Sequence, residues 1–233
     1  LRLEGVSADA AATLVESHDG RHSVSNLGSG DSALLAGLPF SHSLLPPEPQ
    51  AAAAALTAEL RDAFNAGSSG SKADVFDPRY AGSTGYAAAI VASVSADGEF
   101  PLYRYPAVGG TAPLVEAQLD WSAAPLVAGV RAVADAAAGT TSNHAVVNYF
   151  HDGKAVLGAH SDKTLDLARG EPTVVVSIGA TRTLVLTPHR TGRVQRLRLH
   201  HGSAVVLGSE TNREYVHEIV AEGDDIGPRL SVT

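Results

Sequence analysis

The second half of the chain is a run of short apolar, β-branched segments separated by turn residues, and this pattern constrains the fold most. Eight such segments follow Gly139, and glycine, proline, aspartate or asparagine residues separate them. The predicted strands cover residues 145–150, 155–160, 173–179, 183–187, 194–200, 204–208, 215–220 and 229–233. Strands this short, with turns this frequent, are typical of a β-sandwich or jelly roll and not of alternating β–α–β units.

Helical patterns precede these strands. Ser7 is a helix-capping residue for a predicted helix that ends at about residue 18, and a second helix is predicted over residues 48–65, after two prolines. Residues 121–138 place apolar side chains at helical spacing and predict an amphipathic helix. Residues 86–94 fit either a strand or a short buried helix, because the length of the run does not decide. The sequence therefore predicts helices packed with a β-sandwich or a jelly roll, which is an α+β protein.

The residue types present limit the chemistry that the chain can perform. It has no cysteine, so a disulfide partner, cysteine-bound zinc and a thiol nucleophile are excluded, and a metal must use the carboxylates or the 10 histidines. No apolar run approaches the ~18 residues of a membrane helix. The residues around Glu4 do not resemble a signal peptide. We expect an intracellular protein, in the cytoplasm or nucleus, without a membrane segment.

The sequence His160-Ser161-Asp162 follows a predicted strand. At positions i and i+2 of an extended segment, His160 and Asp162 project to the same side, which suits chelation. His217, on a later predicted strand, is placed to be a third ligand. Two imidazoles and one carboxylate leave open coordination positions and suit non-haem Fe(II) that uses O₂. Taken alone, His-x-Asp fits a solvated strand end equally well.

The surrounding motifs extend this pattern. Asn148 and Phe150 precede the His-x-Asp pair, and the run Arg229-Leu-Ser231-Val-Thr233 follows His217. An arginine one strand beyond the distal histidine can bind the far carboxylate of a dicarboxylate in a bidentate pair. The ordered set N-x-[YF], H-x-D, H, R-x-[NS]-x-T resembles the AlkB-type branch of the Fe(II)/2-oxoglutarate dioxygenases. Residues 172–182 and 201–208 resemble further strands of that family, so the resemblance covers roughly residues 121–233.

The resemblance implies a double-stranded β-helix core, with N-terminal helices and lid segments packed against it. It implies an N-terminal extension and substrate lid over residues 1–95 and a dioxygenase domain over residues 96–233. It implies Fe(II) on His160, Asp162 and His217. It also implies that Arg229 binds 2-oxoglutarate. The other implied 2-oxoglutarate-binding residues are Asn148, Phe150, Ser231 and Thr233. O₂ then converts 2-oxoglutarate to succinate, a substrate C–H is hydroxylated, and an N-methyl group leaves as formaldehyde.

The chain departs from the family pattern in three places. The family places a second arginine two residues beyond the threonine that corresponds to Thr233, which is the last residue here. Phe150 stands where the family usually has tyrosine, which removes a hydroxyl contact to 2-oxoglutarate. Lys163 and Thr164 stand where nucleic-acid dealkylases commonly carry a further acid, although Asp166 is close enough in sequence to serve.

The sequence therefore leaves two substrate classes: alkylated nucleic acid, and a protein side chain or small molecule. Five arginines and no acid between Pro172 and Ser209 favour alkylated nucleic acid, whereas the net charge of −8 and the missing acid favour a protein side chain or a small molecule. A jelly-roll binding module without iron is a third hypothesis. Tyr103, Arg104 and Tyr105 fit a substrate lid or half-buried strand residues. Arg182 fits either a substrate contact or an ion pair.

Overall fold

The structure is a computed structural model that describes residues 15–16, 23–66, 76, 88–96, 118–165, 167–223 and 225–233. Within these residues it contains thirteen strands and three α-helices. The strands are β1 Val15–Glu16, β2 Val24–Leu27, β3 Ser32–Leu35, β4 Ala89–Ser95, β5 Gln118–Asp120, β6 His144–Phe150, β7 Leu157–His160, β8 Thr173–Gly179, β9 Arg182–Pro188, β10 Gln195–Leu199, β11 Ser203–Leu207, β12 Tyr215–Ile219 and β13 Arg229–Val232. The helices are α1 Pro49–Ala66, α2 Pro125–Ala138 and α3 Ser209–Glu214, and a 3₁₀ turn Trp121–Ala123 precedes α2.

The strands form two sheets. One has five strands in the order β1-β10-β9-β12-β7, and the other has eight in the order β2-β3-β11-β8-β13-β6-β4-β5. The pairs β1–β10 and β4–β5 are parallel, and the other described pairs are antiparallel. Two facing, mainly antiparallel sheets with crossover connections form the predicted jelly-roll core, and the α+β class is confirmed.

Each of the eight predicted strands is present, as are the helices predicted over 48–65 and 121–138, and residues 86–94 contribute a strand. The prediction of a helix to residue 18 is wrong at Val15 and Glu16, which pair with β10 as an edge strand; the rest of that segment lies outside the described residues. Hydrogen bonding to a neighbouring strand outweighs a local capping signal there. The sequence patterns did not predict β2, β3, β5 or α3.

Alternation along the strands divides the apolar residues between two cores. Side chains from both sheets meet in one core, which contains Phe150, Leu184, Leu199 and Val205. The helices α1 and α2 cover the other face of the eight-stranded sheet and form the second core. On β13, Leu230 belongs to the helical side, so its neighbour Arg229 points to the inside of the jelly roll. Arg229 is therefore a buried cation in the interior of the jelly roll.

Segments on both sides of the predicted domain boundary at residue 95 belong to the same sheets. The strand β4 pairs with β6, and β3 pairs with β11. The division into an extension and a catalytic domain therefore stays a prediction about function. In the part of the chain that the structure describes, no helix is both long and apolar enough to cross a membrane.

Candidate metal centre and dicarboxylate pocket

His160 and His217 lie directly opposite each other on neighbouring strands. His160 ends β7, and its partner in the antiparallel ladder is His217 in the middle of β12. Opposed residues on paired strands project to the same face of a sheet. The centres of the two imidazole rings are 4.2 Å apart. Asp162 follows two residues after His160, so all three predicted ligands meet at one place.

The ligand atoms of these residues converge. Oδ1 of Asp162 is 3.6 Å from Nε2 of His160 and 3.6 Å from Nε2 of His217. The three potential ligand atoms lie within 4.8 Å of one another. His160 Nδ1–H donates to the carbonyl oxygen of Gly158 at 2.7 Å, which directs Nε2 toward the carboxylate of Asp162. Fe(II) matches this set of two imidazole nitrogens and one carboxylate oxygen.

The charge states suit a cation. Burial lowers the pKa of His217 to about 4, against the favourable effect of Asp162, and keeps this imidazole neutral at pH 7. Burial by itself would raise the pKa of Asp162, but the hydrogen bond with His160 and the proximity of both histidines lower it overall. Burial likewise opposes protonation of His160, and Asp162 nevertheless raises the pKa of His160. A carboxylate between two imidazoles is thus ionised and available as a ligand.

Arg229 lies in the interior of the jelly roll, on the eight-stranded sheet, whereas the two histidines are on the five-stranded sheet. It is fully buried on β13, opposite Phe150 of β6 and Gly179 of β8. Nη2 donates to the hydroxyl of Ser177 at 2.9 Å, and the guanidinium carbon is 4.8 Å from the centre of the Phe150 ring. Nε and Nη1 are buried and have no hydrogen-bond partner among the described residues.

A buried guanidinium with donors left over favours an anionic ligand. Burial, with a smaller contribution from the positive charge of Arg182, lowers the pKa of Arg229 to about 9, as expected where no carboxylate compensates the charge. A carboxylate of a bound ligand would satisfy the free donors and restore the ordinary pKa. The residues present therefore fit the far carboxylate of 2-oxoglutarate.

The structure brings the other predicted 2-oxoglutarate residues to the same face. Ser231 pairs with Asn148 on one side and Ser177 on the other, just as Arg229 pairs with Phe150. Asn148, Phe150 and Ser231 are buried, and Thr233 is half-buried at the end of this row. Their contact with 2-oxoglutarate stays a prediction.

A glycine makes the close approach of β13 possible. Gly179 has a φ of +102°, and a Cβ there would lie 2.5 Å from the carbonyl oxygen of Pro228 and 3.2 Å from the Cα of Arg229. Any side chain would push β13 and its arginine away. Ser177, two residues earlier, is the one pocket residue here that the sequence patterns did not single out. Ser177 pairs with Ser231, and this pairing depends on the strand register, which the sequence alone does not specify.

Arg182 is fully buried, and its guanidinium donates to main-chain carbonyl oxygens. The acceptors are those of Asp152, Gly153, Ala155 and Val220, at 2.8, 3.2, 2.5 and 2.8 Å. These contacts join the turn before β7 to the end of β12 and favour a structural role. Its predicted role in substrate binding is supported by none of them and stays a prediction. The predicted substrate residues Tyr103, Arg104 and Tyr105 lie outside the described residues.

The basic strand face that the alternation in β10 indicates is present. Leu197 and Leu199 are buried, Arg196 is exposed, and Arg198 is half-buried. Arg198 donates to both carboxylate oxygens of Glu222, at 3.1 and 3.0 Å. An acid from a distant segment thus neutralises one of the five arginines.

The fold and the site together define a class: a jelly roll that contains a His-x-Asp and distal His cluster and a buried arginine. Residues 56–233 match the model of the 2OG-Fe(II) oxygenase superfamily. The match spans well over half of the chain, and the chain therefore belongs to this superfamily.

Its similarity to individual proteins is partial. The chain is 34% identical over 103 residues to "DNA oxidative demethylase ALKBH2" of Mus musculus, covering 41% of this chain and 43% of that protein. It is 31% identical over 117 residues to the Homo sapiens protein of the same name, covering 47% and 45%. The matched part therefore spans less than half the length of these curated relatives. The solved structure of OsALKBH1 overlaps with a TM-score of 0.33 at 19% identity, covering 40% of this chain and 48% of that chain, a likeness too slight to support any conclusion.

Proposed function

We propose that the protein is a Fe(II)- and 2-oxoglutarate-dependent dioxygenase that oxidatively removes N-alkyl groups from nucleic acid, with DNA as the first candidate. The observation that carries the proposal is the convergence of His160, Asp162 and His217 in the jelly roll that also buries Arg229. The relatives named DNA oxidative demethylase supply the substrate class. We also propose that such an enzyme acts inside the cell, where nucleic acid is found.

Within this proposal, His160, Asp162 and His217 hold Fe(II), and Arg229 holds the far carboxylate of 2-oxoglutarate. When bound, these groups supply, together with O₂, the oxidation that converts 2-oxoglutarate to succinate and CO₂ and hydroxylates a substrate C–H bond. The hydroxylated N-alkyl group then leaves as an aldehyde.

The chain's own residues orient the ligands and exclude water. The Phe150 ring contacts two buried cations, since its centre is 4.8 Å from the guanidinium carbon of Arg229 and 5.5 Å from that of Arg182. An aromatic ring stabilises a nearby cation, so Phe150 helps to hold Arg229 in place for the dicarboxylate. Phe150 belongs to the apolar core between the sheets, so a carboxylate beside Arg229 interacts with it strongly in surroundings of low polarity.

A cationic turn supports a nucleic-acid substrate. Arg190 and Arg193 are exposed on the turn between β9 and β10. That turn leaves the sheet beyond Pro188, which pairs with Tyr215, and Ser161 Oγ donates to the carbonyl of Tyr215 at 2.8 Å. The turn and the metal-binding segment therefore lie at the same end of the strands of the five-stranded sheet. Arginines there are placed to contact phosphates beside the centre.

A second function is favoured by one observation. Lys163, directly after the metal-binding Asp162, is exposed and stands where the family's nucleic-acid dealkylases commonly have an acid. Without an acid at this position a contact to an alkylated base is missing, which favours a protein side chain or a small molecule. The second candidate is therefore a 2-oxoglutarate-dependent hydroxylase or demethylase of such a substrate.

Formaldehyde release distinguishes the two. The protein, with Fe(II), 2-oxoglutarate and ascorbate, is incubated with single- and double-stranded DNA and RNA carrying N-methylated bases, beside unmethylated controls. Formaldehyde released from methylated DNA, and not from the unmethylated controls, supports the proposal. Succinate formation without formaldehyde from any of these nucleic acids would reject the nucleic-acid substrate and favour the second function.

A further inference from the structure

Asn212 holds the main chain of a metal ligand. Its side chain is buried at 6% exposure on α3, and Oδ1 accepts the N–H of Asp162 at 2.7 Å. Its Nδ2 donates to the carbonyl oxygen of the same Asp162 at 2.9 Å. One carboxamide thus satisfies both main-chain groups of a single residue. These bonds restrict the position from which the Asp162 side chain projects.

Asp162 needs such a partner because it lies beyond the end of its strand. The ladder between β7 and β12 stops at the pair His160–His217, and residues 161–164 are not part of any strand. Without a neighbouring strand, the peptide groups of Asp162 would lose the hydrogen bonds that fix its backbone. The carboxamide of Asn212 has one donor and one acceptor and takes the place of the missing peptide group.

The helix that carries Asn212 is itself held from outside. With 6 residues, α3 is too short to be stable alone, and its N-cap residue Gly208 provides no side-chain cap. The carboxylate of Asp31, in the turn between β2 and β3, accepts the N–H groups of Glu210 at 2.8 Å and Thr211 at 3.1 Å. Asp31 also accepts the hydroxyl of Thr211. A residue 180 positions earlier in the sequence therefore caps this helix.

Two glycines allow this contact. A Cβ on Gly208 would lie 2.2 Å from the carboxyl carbon of Asp31, and one on Gly28 would lie 2.2 Å from the side chain of Thr211. The main chain at Gly208 therefore packs directly against the side chain of Asp31, and the main chain at Gly28 packs against the side chain of Thr211. The position of α3 is set by this contact as well as by its connection to β12.

We propose that Asn212 is a positioning residue for the metal ligand Asp162, and that Asp31 acts behind it by fixing α3. The proposal rests on the metal-binding function proposed above. Its consequence is that the affinity for metal depends on the turn between β2 and β3. Neither residue is one of the three candidate metal ligands.

The test is Co(II) binding by the full chain without 2-oxoglutarate, followed by the visible d–d absorption at a temperature where each variant is folded. Asn212→Asp keeps the shape and the acceptor of the side chain but loses the donor, and Asn212→Ala loses both. Outer partners of metal ligands change metal affinity by about 10- to 100-fold. We expect a loss in this range for Asn212→Ala, a smaller loss for Asn212→Asp, and an altered d–d spectrum in both.

Two controls separate positioning from general stability. Glu222→Gln removes the charge that pairs with Arg198 and leaves the Asn212–Asp162 bonds in place. Ser29→Ala removes the exposed bond from the same turn to Glu214 and leaves the cap made by Asp31 in place. We expect both controls to bind Co(II) like the wild type, and Asp31→Ala to bind it more weakly.

The outcomes are distinct. Unchanged Co(II) affinity and spectrum in both Asn212 variants, with wild-type binding that His160→Ala abolishes, would overturn this inference and leave the proposed function standing. Absence of Co(II) binding by the wild type would overturn the metal-binding function first and this inference with it. Equal losses of affinity in the controls and the Asn212 variants would assign Asn212 to general stability and overturn the positioning role.

Discussion

His160 and His217 are paired residues of two antiparallel strands, and the centres of their rings are 4.2 Å apart. The register of one ladder thus decides whether the metal site exists, because a shift by one residue would turn His217 to the other face of the sheet. The neighbouring ladder fixes the same register, since His217 also pairs with Leu186 of β9. The centre is built on strands and not on a free loop, apart from Asp162.

Replacing a histidine of this pair removes a ligand. We expect His160→Ala and His217→Ala to abolish Co(II) binding, because a nitrogen and a carboxylate alone form a weak site. His189→Ala, an exposed histidine on the turn after β9, is the matched control and should bind like the wild type. Co(II) titration measures all three. Retained affinity in His160→Ala would place the metal elsewhere.

Replacing Arg229 separates ligand binding from folding. Removing one partner of a buried charge pair costs about 2–5 kcal/mol, so Arg229→Met should weaken 2-oxoglutarate binding by at least roughly thirtyfold. Without 2-oxoglutarate the same variant should be as stable as the wild type or more stable, because a buried cation with unsatisfied donors is lost.

Thermal unfolding with Mn(II), with and without 2-oxoglutarate, measures both effects for Arg229→Met. The wild type should gain stability from 2-oxoglutarate by mass action, and Arg229→Met should not. Arg193→Met, on the exposed turn, is the control. An undiminished gain in Arg229→Met would contradict the assignment of the dicarboxylate pocket.

Glu222 links the stability of the fold to pH. Burial would raise the pKa of Glu222, but hydrogen bonds from Thr183 and Arg198 lower it overall. A lowered pKa means that the carboxylate stabilises the fold above pH 4.5, the ordinary value, and that this contribution disappears as the pH falls through the lowered pKa.

Glu222→Gln should therefore lose about 1 kcal/mol of unfolding free energy at pH 7. The difference from the wild type should shrink at and below pH 4. Urea unfolding at both pH values measures this, with Glu218→Gln as the control on the neighbouring strand. A difference that is the same at both pH values would show that the charge of Glu222 is irrelevant to stability.

Arg182 tests a sequence-based hypothesis. Four carbonyl oxygens surround its guanidinium, so Arg182→Met should lower the thermal midpoint strongly, since those buried acceptors lose their donors. Arg182→Lys should recover part of the loss, and its KM for a methylated oligonucleotide should equal that of the wild type. A raised KM in Arg182→Lys at an unchanged thermal midpoint would support the predicted substrate contact instead.

The sequence was sufficient for the eight strands after Gly139, because they depend on short-range patterns. It also predicted that His160, Asp162 and His217 lie close together, and their binding of a metal stays a prediction. Residues 173–179 are a β-branched, apolar run with turn residues before and after it, and the strand in the structure has the same bounds. The motif His160-x-Asp162 needs only an extended backbone to bring its side chains together.

What the sequence could not give depends on contacts between distant segments. Asn212 looks like an ordinary polar residue of a short helix until α3 is placed against the segment after β7. In the sequence Arg198 has no neighbouring acid, but in the structure it forms an ion pair with Glu222, which follows β12. The strands β2 and β3 lack a long apolar run, and pairing with β11 stabilises them.

The account's central claim is that this chain binds iron and 2-oxoglutarate together and uses them. The most direct measurement is succinate formation from 2-oxoglutarate under air, without any alkylated substrate, in the wild type, Asp162→Asn and His189→Ala. The account predicts Fe(II)-dependent succinate from the wild type and His189→Ala, and none above background from Asp162→Asn. Succinate at equal rates from all three, or none from the wild type with Fe(II) bound, would contradict it.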